Sequence, residues 1–120
     1  MARIMVIDDN TETRMAVRRI LERAGHQVID ATNGEEGARL FSQNPPDLLI
    51  TDIAMPGKDG VETLLELRTD FPDIKVIVMS GRSRALLPAA EELGAVQTLS
   101  KPFTRSELLR MLEEVLEDDG

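Results

Sequence analysis

Apolar residues along this chain come in short unbroken runs, separated by longer stretches in which they recur every three or four positions. Ile4-Met5-Val6-Ile7, Val28-Ile29, Leu48-Leu49-Ile50, Val76-Ile77-Val78-Met79 and the weaker run from Val96 to Leu99 are strand-sized and mostly lack polar alternation. Strands that are apolar on both faces belong to a parallel sheet covered by helices on either side. The runs around Val28 and Val96 are more polar, which predicts edge positions. Between the runs, Val17, Ile20, Leu21 and Ala24 repeat at i, i+3, i+4, i+7, and Leu108, Met111, Leu112 and Val115 do the same. Each set defines an amphipathic helix.

Shorter versions of that spacing occur at Gly37, Leu40, Phe41 and at Val61, Leu64, Leu65, the second after Asp59-Gly60 as an N-cap. Thr104-Arg105-Ser106-Glu107 has the spacing of a capping box, which marks the start of the last helix. Gly25, Asn44-Pro45-Pro46, Phe71-Pro72 and Gly94 punctuate the elements. The order is therefore strand-helix repeated five times. Such alternation implies right-handed crossovers and a doubly wound α/β sheet with helices on both faces.

Composition narrows the function classes. A chain of 120 residues with 42% hydrophobic and 30% charged residues suits a single compact domain, and neither repeat nor linker interrupts it. A formal net charge of -8 repels phosphate backbones and anionic lipid, so no direct nucleic-acid or membrane partner is expected. With no cysteine there is no disulfide framework, thiol nucleophile or thiolate zinc site. The first apolar run is too short for a signal sequence and ends at once in Asp8-Asp9, which together with the lack of cysteine predicts a cytoplasmic location. Without Trp or Tyr, and with only Phe41, Phe71 and Phe103, base stacking has little material, and the six methionines are expected as core filler.

Asp8 and Asp9 stand side by side at the end of an apolar strand, where like charges repel unless water or a cation relieves them. In an open parallel sheet, ligands bind beyond the carboxyl ends of the strands. The first predicted strand ends in Asp8-Asp9, the third in Thr51-Asp52, the fourth in Met79-Ser80 and the fifth in Ser100-Lys101-Pro102. Hard carboxylate oxygens suit Mg²⁺. A carboxylate such as Asp52 can act as a nucleophile toward phosphorus, while Lys101 and a cation would neutralise the transferred group and Ser80 would donate to it. Taken singly, each residue has a plain structural explanation: a cap, a turn, a surface lysine. Their placement at successive strand ends is what raises the chemical reading.

The blocks VIDDN, ITDIAMPGKDG, VMSG and LSKPF resemble the signature segments of the response-regulator receiver domain of two-component signalling, and the resemblance spans essentially the whole chain. It implies a flavodoxin-like sheet in the order 2-1-3-4-5. It further implies Asp52 as phosphoacceptor, with Mg²⁺ held by Asp8, Asp9, Asp52 and the backbone carbonyl of Ala54. Ser80 and Lys101 would contact the phosphoryl group, and the Lys101-Pro102 peptide would be cis. The expected partners are a histidine kinase or phosphotransfer protein upstream and a protein target downstream, read through the surface around the fourth helix and fifth strand. On this reading the protein is a switch that transfers a phosphoryl group to itself and is not a turnover enzyme. It is expected to be a monomer or weak dimer, with residues 1–120 forming a receiver domain and no output domain.

Several positions depart from the family pattern. Thr98 stands where receivers usually carry an aromatic residue, so a switch here is expected to rely on Ser80, on loop movement or on backbone shifts. Pro88 predicts a fourth helix that starts late, near Pro88, after a loop from Gly81 to Leu87. Ala54 and Arg82 occupy positions that tune phosphoryl lifetime, and a long-lived phosphoryl state is one consequence. Two rival functions use the same acids: a haloacid-dehalogenase-type phosphohydrolase, which would need a second acid where Ala54 stands, and a degenerate receiver that binds without phosphorylation. Leu109 and Leu116 supply either a partner face or a broad core stripe. His26 is expected as a surface or edge residue and not as a catalytic base, and Arg14, Arg18 and Arg19 on a solvated helix face, with Arg14 and Met15 near the acidic edge.

Overall fold

The computed structural model describes residues 2–52, 65–67, 69–80 and 97–117. Its strands are β1 (Arg3–Ile7), β2 (Gln27–Ala31), β3 (Leu48–Asp52), β4 (Lys75–Ser80) and β5 (Gln97–Ser100). They form one parallel sheet in the order β2-β1-β3-β4-β5. Helix α1 (Thr11–Arg23), helix α2 (Gly34–Gln43) and the last helix (Arg105–Glu117) are described in full, and residues 65–67 and 69–70 are helical. The two more polar runs are the sheet edges, as their composition predicts.

Period-two alternation sends the strand side chains into two separate cores. Ile4, Val6, Leu48, Ile50, Ile77, Met79 and Leu99 face one way and pack with Val17, Leu21, Leu108, Leu112 and Val115 of α1 and the last helix. Met5, Ile7, Leu49, Val76 and Val78 face the other way, against Phe41 of α2, Leu67 and Ile74. Both faces of the central strands are thus dry. That explains why their sequences are unbroken apolar runs.

Local chemistry sets the element ends. Asn10 caps α1 by accepting from the Thr13 amide at 2.9 Å, and Asn33 caps α2 by accepting from Glu36 at 2.8 Å. Thr104 and Glu107 exchange side-chain and backbone bonds at 3.1 Å each, the reciprocal capping box expected from the sequence. Helix α1 stops in a left-handed turn: Gly25 has φ +95°, its amide donates to Glu22 and the His26 amide to Leu21. This six-to-one and five-to-two pairing favours glycine at that position. His26 then sits at the edge below β2, and its Nδ1 accepts from the Ala2 amide at 3.0 Å.

The sequence reading misplaced three side chains. Ala24 is exposed because it forms the C-cap of α1 and lies past the buried stripe. Leu65 is 53% exposed, whereas Leu67 is buried, so the stripe there falls on a different residue from the one its spacing indicates. Arg14 is buried and does not line a solvated face. Leu109 and Leu116 are partly buried against the core, which favours the broad stripe over a free partner face. Val61, Leu64, Asp59-Gly60, Pro88, Arg82 and the loop from Gly81 to Leu87 lie outside the described residues. Among the described residues no helix is long and apolar enough to cross a membrane.

Candidate functional site

Strand register brings the predicted acids together. β1 and β3 pair with Ile7 opposite Thr51, so one further step along each strand sets Asp8 beside Asp52. β3 and β4 pair with Asp52 opposite Met79, so Ser80 follows at the same edge, and Ser80 in turn pairs with Ser100 of β5. Lys101 is therefore the first residue beyond β5, on the same rim. The Lys101-Pro102 peptide is cis, as the resemblance implied.

From that position Lys101 Nζ reaches back over the sheet end to donate to Asp8 Oδ2 at 2.9 Å and Asp52 Oδ2 at 3.1 Å. Asp8 is fully buried and Asp52 nearly so, while Asp9 is exposed. One carboxylate oxygen from each of Asp8, Asp9 and Asp52 can be chosen so that all three lie within 4.8 Å of one another. Every polar atom of Asp8 has a partner: its amide donates to Ala31 at 3.2 Å, Oδ1 accepts from the Asn10 amide at 2.9 Å, Oδ2 accepts from Lys101, and its carbonyl accepts from Arg14 at 2.8 Å. The Thr51 hydroxyl donates to the Asp52 carbonyl at 3.0 Å and fixes the backbone of that strand end.

The electrostatics are unbalanced in one direction. Burial pushes the Asp8 carboxyl above the ordinary range and the charge of Asp52 adds to that, although Lys101 and the Asn10 amide pull the other way. Burial disfavours the Lys101 ammonium, yet Asp8 and Asp52 together more than compensate and hold it above its ordinary value. At an effective dielectric of about 20, the repulsion between two carboxylates roughly 5 Å apart is roughly 3 kcal/mol. Among the described residues three acids face one ammonium, an excess of negative charge that a divalent cation would offset. The donor set consists of hard carboxylate oxygens, the chemistry that Mg²⁺ prefers. The residues present therefore fit the metal that the resemblance implied.

Ala54 lies outside the described residues, and so does the side chain of Ser80; the strand position of Ser80 is all that is described of it. Thr98 is half-buried on β5 opposite Val78. Beside Lys101 a groove of about 540 Å³ opens between α1 and the start of the last helix, lined by Glu12, Thr13, Val17, Ile20 and Phe103 among others. The sequence reading missed the involvement of Arg14. Its signal was present: carrying the buried stripe of Leu21 and Val17 back one turn arrives at position 14.

Residues 4–113 match the family model described as the response regulator receiver domain. The chain belongs to that family. The chemotaxis protein CheY of Thermotoga maritima is 32% identical over 115 residues, covering 94% of this chain and 96% of that one. Among solved structures, a response regulator receiver domain protein from Clostridium thermocellum superposes with a TM-score of 0.91 at 31% identity, over 98% of this chain and 95% of the other. The response regulator protein TrrA of Thermotoga maritima, solved in complex with Mg²⁺ and BeF, gives a TM-score of 0.87 at 30% identity over 96% of this chain and 99% of its own. Other relatives are longer, and the chain spans about a quarter or half of their length.

Proposed function

We propose that this chain is a phosphorylation-dependent signalling switch in which Asp52 accepts a phosphoryl group from a phosphohistidine on a kinase or phosphotransfer protein. The single observation that carries the reading is Lys101 bonded at once to Asp8 and Asp52, at the rim where the sheet order reverses. In the transfer, an Asp52 oxygen forms a bond to phosphorus, the bond from phosphorus to the donor imidazole nitrogen breaks, and the electron pair leaves with that nitrogen. Lys101 balances charge on the phosphoryl oxygens, and Ser80, on the next strand end, is assigned a donor role. Asp8, Asp9 and Asp52, with the carbonyl of Ala54, would hold Mg²⁺, which supplies further neutralisation of the phosphoryl charge when bound. The groove between α1 and Phe103 adjoins Lys101 and gives the donor protein a surface from which to reach the acid.

The modified state then biases a conformational equilibrium that a downstream protein reads at the surface after Ser80 and around β5. Two assays distinguish this reading from a phosphohydrolase and from a module that binds without phosphorylation. With acetyl phosphate and Mg²⁺, wild-type protein should gain the mass of one phosphoryl group, and Asp52→Ala should not. Continued turnover of small phosphate monoesters would favour the phosphohydrolase. A wild-type protein that gains no mass would leave the non-phosphorylated binding module.

A further inference from the structure

Behind the acid cluster lies a second charged network. Arg14 of α1 is buried, 7% exposed. Its Nη1 donates to the Asp8 carbonyl at 2.8 Å and its Nε to Asp30 Oδ2 of β2 at 2.9 Å. Asp30 Oδ1 accepts from Arg18 Nη1, and Arg18 Nε donates to Glu22 at 3.3 Å. A buried guanidinium is tolerated only where it is paired and hydrogen-bonded, and the planar fork of arginine meets two acceptors at once, which lysine cannot copy. Asp30, gripped from two sides, fixes the direction in which Arg14 points.

Two features tie this network to the site beyond general stability. Arg14 grips the backbone of Asp8, the residue that leads from β1 into the acidic turn, so it sets where the Asp8 and Asp9 carboxylates are aimed. It also consumes no carboxylate oxygen of Asp8, Asp9 or Asp52, since its acceptors are a carbonyl and Asp30. Its charge is offset by Asp30, which limits its repulsion of an incoming cation, and it leaves the carboxylate oxygens of the cluster to that cation. Groups that orient metal ligands in this indirect way commonly tune affinity strongly.

We propose that Arg14, locked by Asp30, is a positioning residue that presets the acidic turn for divalent-cation binding; this rests on the Mg²⁺-assisted reading of the site given above. The test is calorimetric Mg²⁺ titration of wild type, Arg14→Met, Arg14→Lys, Asp30→Asn and the Arg14→Met/Asp30→Asn double variant, with urea unfolding of each in EDTA. Arg14→Met should weaken Mg²⁺ binding roughly 10- to 100-fold. Arg14→Lys should recover part of that loss, Asp30→Asn should lose less, and the double variant should bind no more weakly than Arg14→Met alone. A purely structural role would lower the unfolding midpoint and leave the Mg²⁺ affinity of the folded protein unchanged. Wild-type affinity in folded Arg14→Met would overturn the proposal, and should that variant not fold, wild-type affinity in Asp30→Asn would do the same. A wild-type protein without saturable Mg²⁺ binding would instead defeat the underlying reading of the site.

Discussion

Removing the ammonium of Lys101 exposes the electrostatic imbalance at the centre of the site. Lys101→Met keeps much of the aliphatic stem but deletes the donor to Asp8 at 2.9 Å and to Asp52 at 3.1 Å. Breaking a buried pair from one side costs about 3 to 5 kcal/mol, because the remaining charge stays buried. The Lys101 side chain is 21% exposed and water can partly replace it, so a loss of about 3 kcal/mol at neutral pH is expected. Such a loss is a large share of the stability of a small domain.

The pH dependence of that loss has a fixed sign. Asp8 already has a folded-state pKa raised above its ordinary 3.8 by burial, and losing Lys101 must raise it further. A carboxyl raised in this way destabilises the fold while ionised, so its penalty is relieved as pH falls through the folded pKa toward the unfolded value. The gap between wild type and Lys101→Met should therefore narrow as pH falls from neutrality through the raised pKa of Asp8 toward its ordinary 3.8. The ammonium of Lys101 is raised above 10.5, so its contribution in the wild type is fully present below that value and constant over the same range. Mg²⁺ at ten times its dissociation constant should return roughly 1.4 kcal/mol to whichever protein binds it. Urea unfolding followed by circular dichroism is the suitable assay, since the chain has no Trp or Tyr. Equal stability of the two proteins in EDTA at neutral pH, or a gap that does not change with pH, would refute this account.

Two further outcomes test the packing and the sheet edge. A Cβ added at Gly37 would meet Ile7 Cδ1 at 2.3 Å and Cγ1 at 2.9 Å, so Gly37→Ala should cost about 1 to 3 kcal/mol, and trimming Ile7→Val in the same protein should recover part of it in urea melts. Burial holds His26 below its ordinary 6.5, and its Nδ1 must be unprotonated to accept from Ala2, so stability is full above that value and declines as pH falls toward the folded pKa. His26→Phe should lose this acid-side decline together with a hydrogen bond worth about 1 kcal/mol, read as the difference between the two proteins' urea midpoints across the window.

The sheet was legible because its central strands are dry on both faces and its edges are not, a contrast written directly into residues 4–7, 48–50 and 76–79 against 27–31 and 97–100. The site was legible for a related reason: a parallel sheet delivers every strand end to one rim, so Asp8, Asp52 and Lys101 must meet if the strands pair in register. The failures share a cause as well. Arg14 reads as a surface residue because nothing within one helix shows that its guanidinium will find Asp30 on a neighbouring strand and a carbonyl at the end of another. Ala24 and Leu65 fit a periodic stripe, but the stripe is cut off by a cap in one case and rotated by tertiary packing in the other. Periodicity predicts which residues could be buried, and the partner surface decides which are.

The three acids of the cluster are chemically alike but structurally unequal, and that inequality supports assigning them different roles. Asp8 is enclosed, with each polar atom already bonded to the protein, so a phosphoryl donor has no open path to it. Asp9 is exposed, and among the described residues no cation pairs with it to meet incoming negative charge. Asp52 lies between these limits: it retains a small exposure of 7%, belongs to the central strand β3, which is paired on both sides, and has a cation at 3.1 Å to meet incoming negative charge. Access, rigidity and a counter-charge coincide at that one carboxylate, which is why the proposed acceptor is Asp52 and why its neighbours suit the holding of a metal.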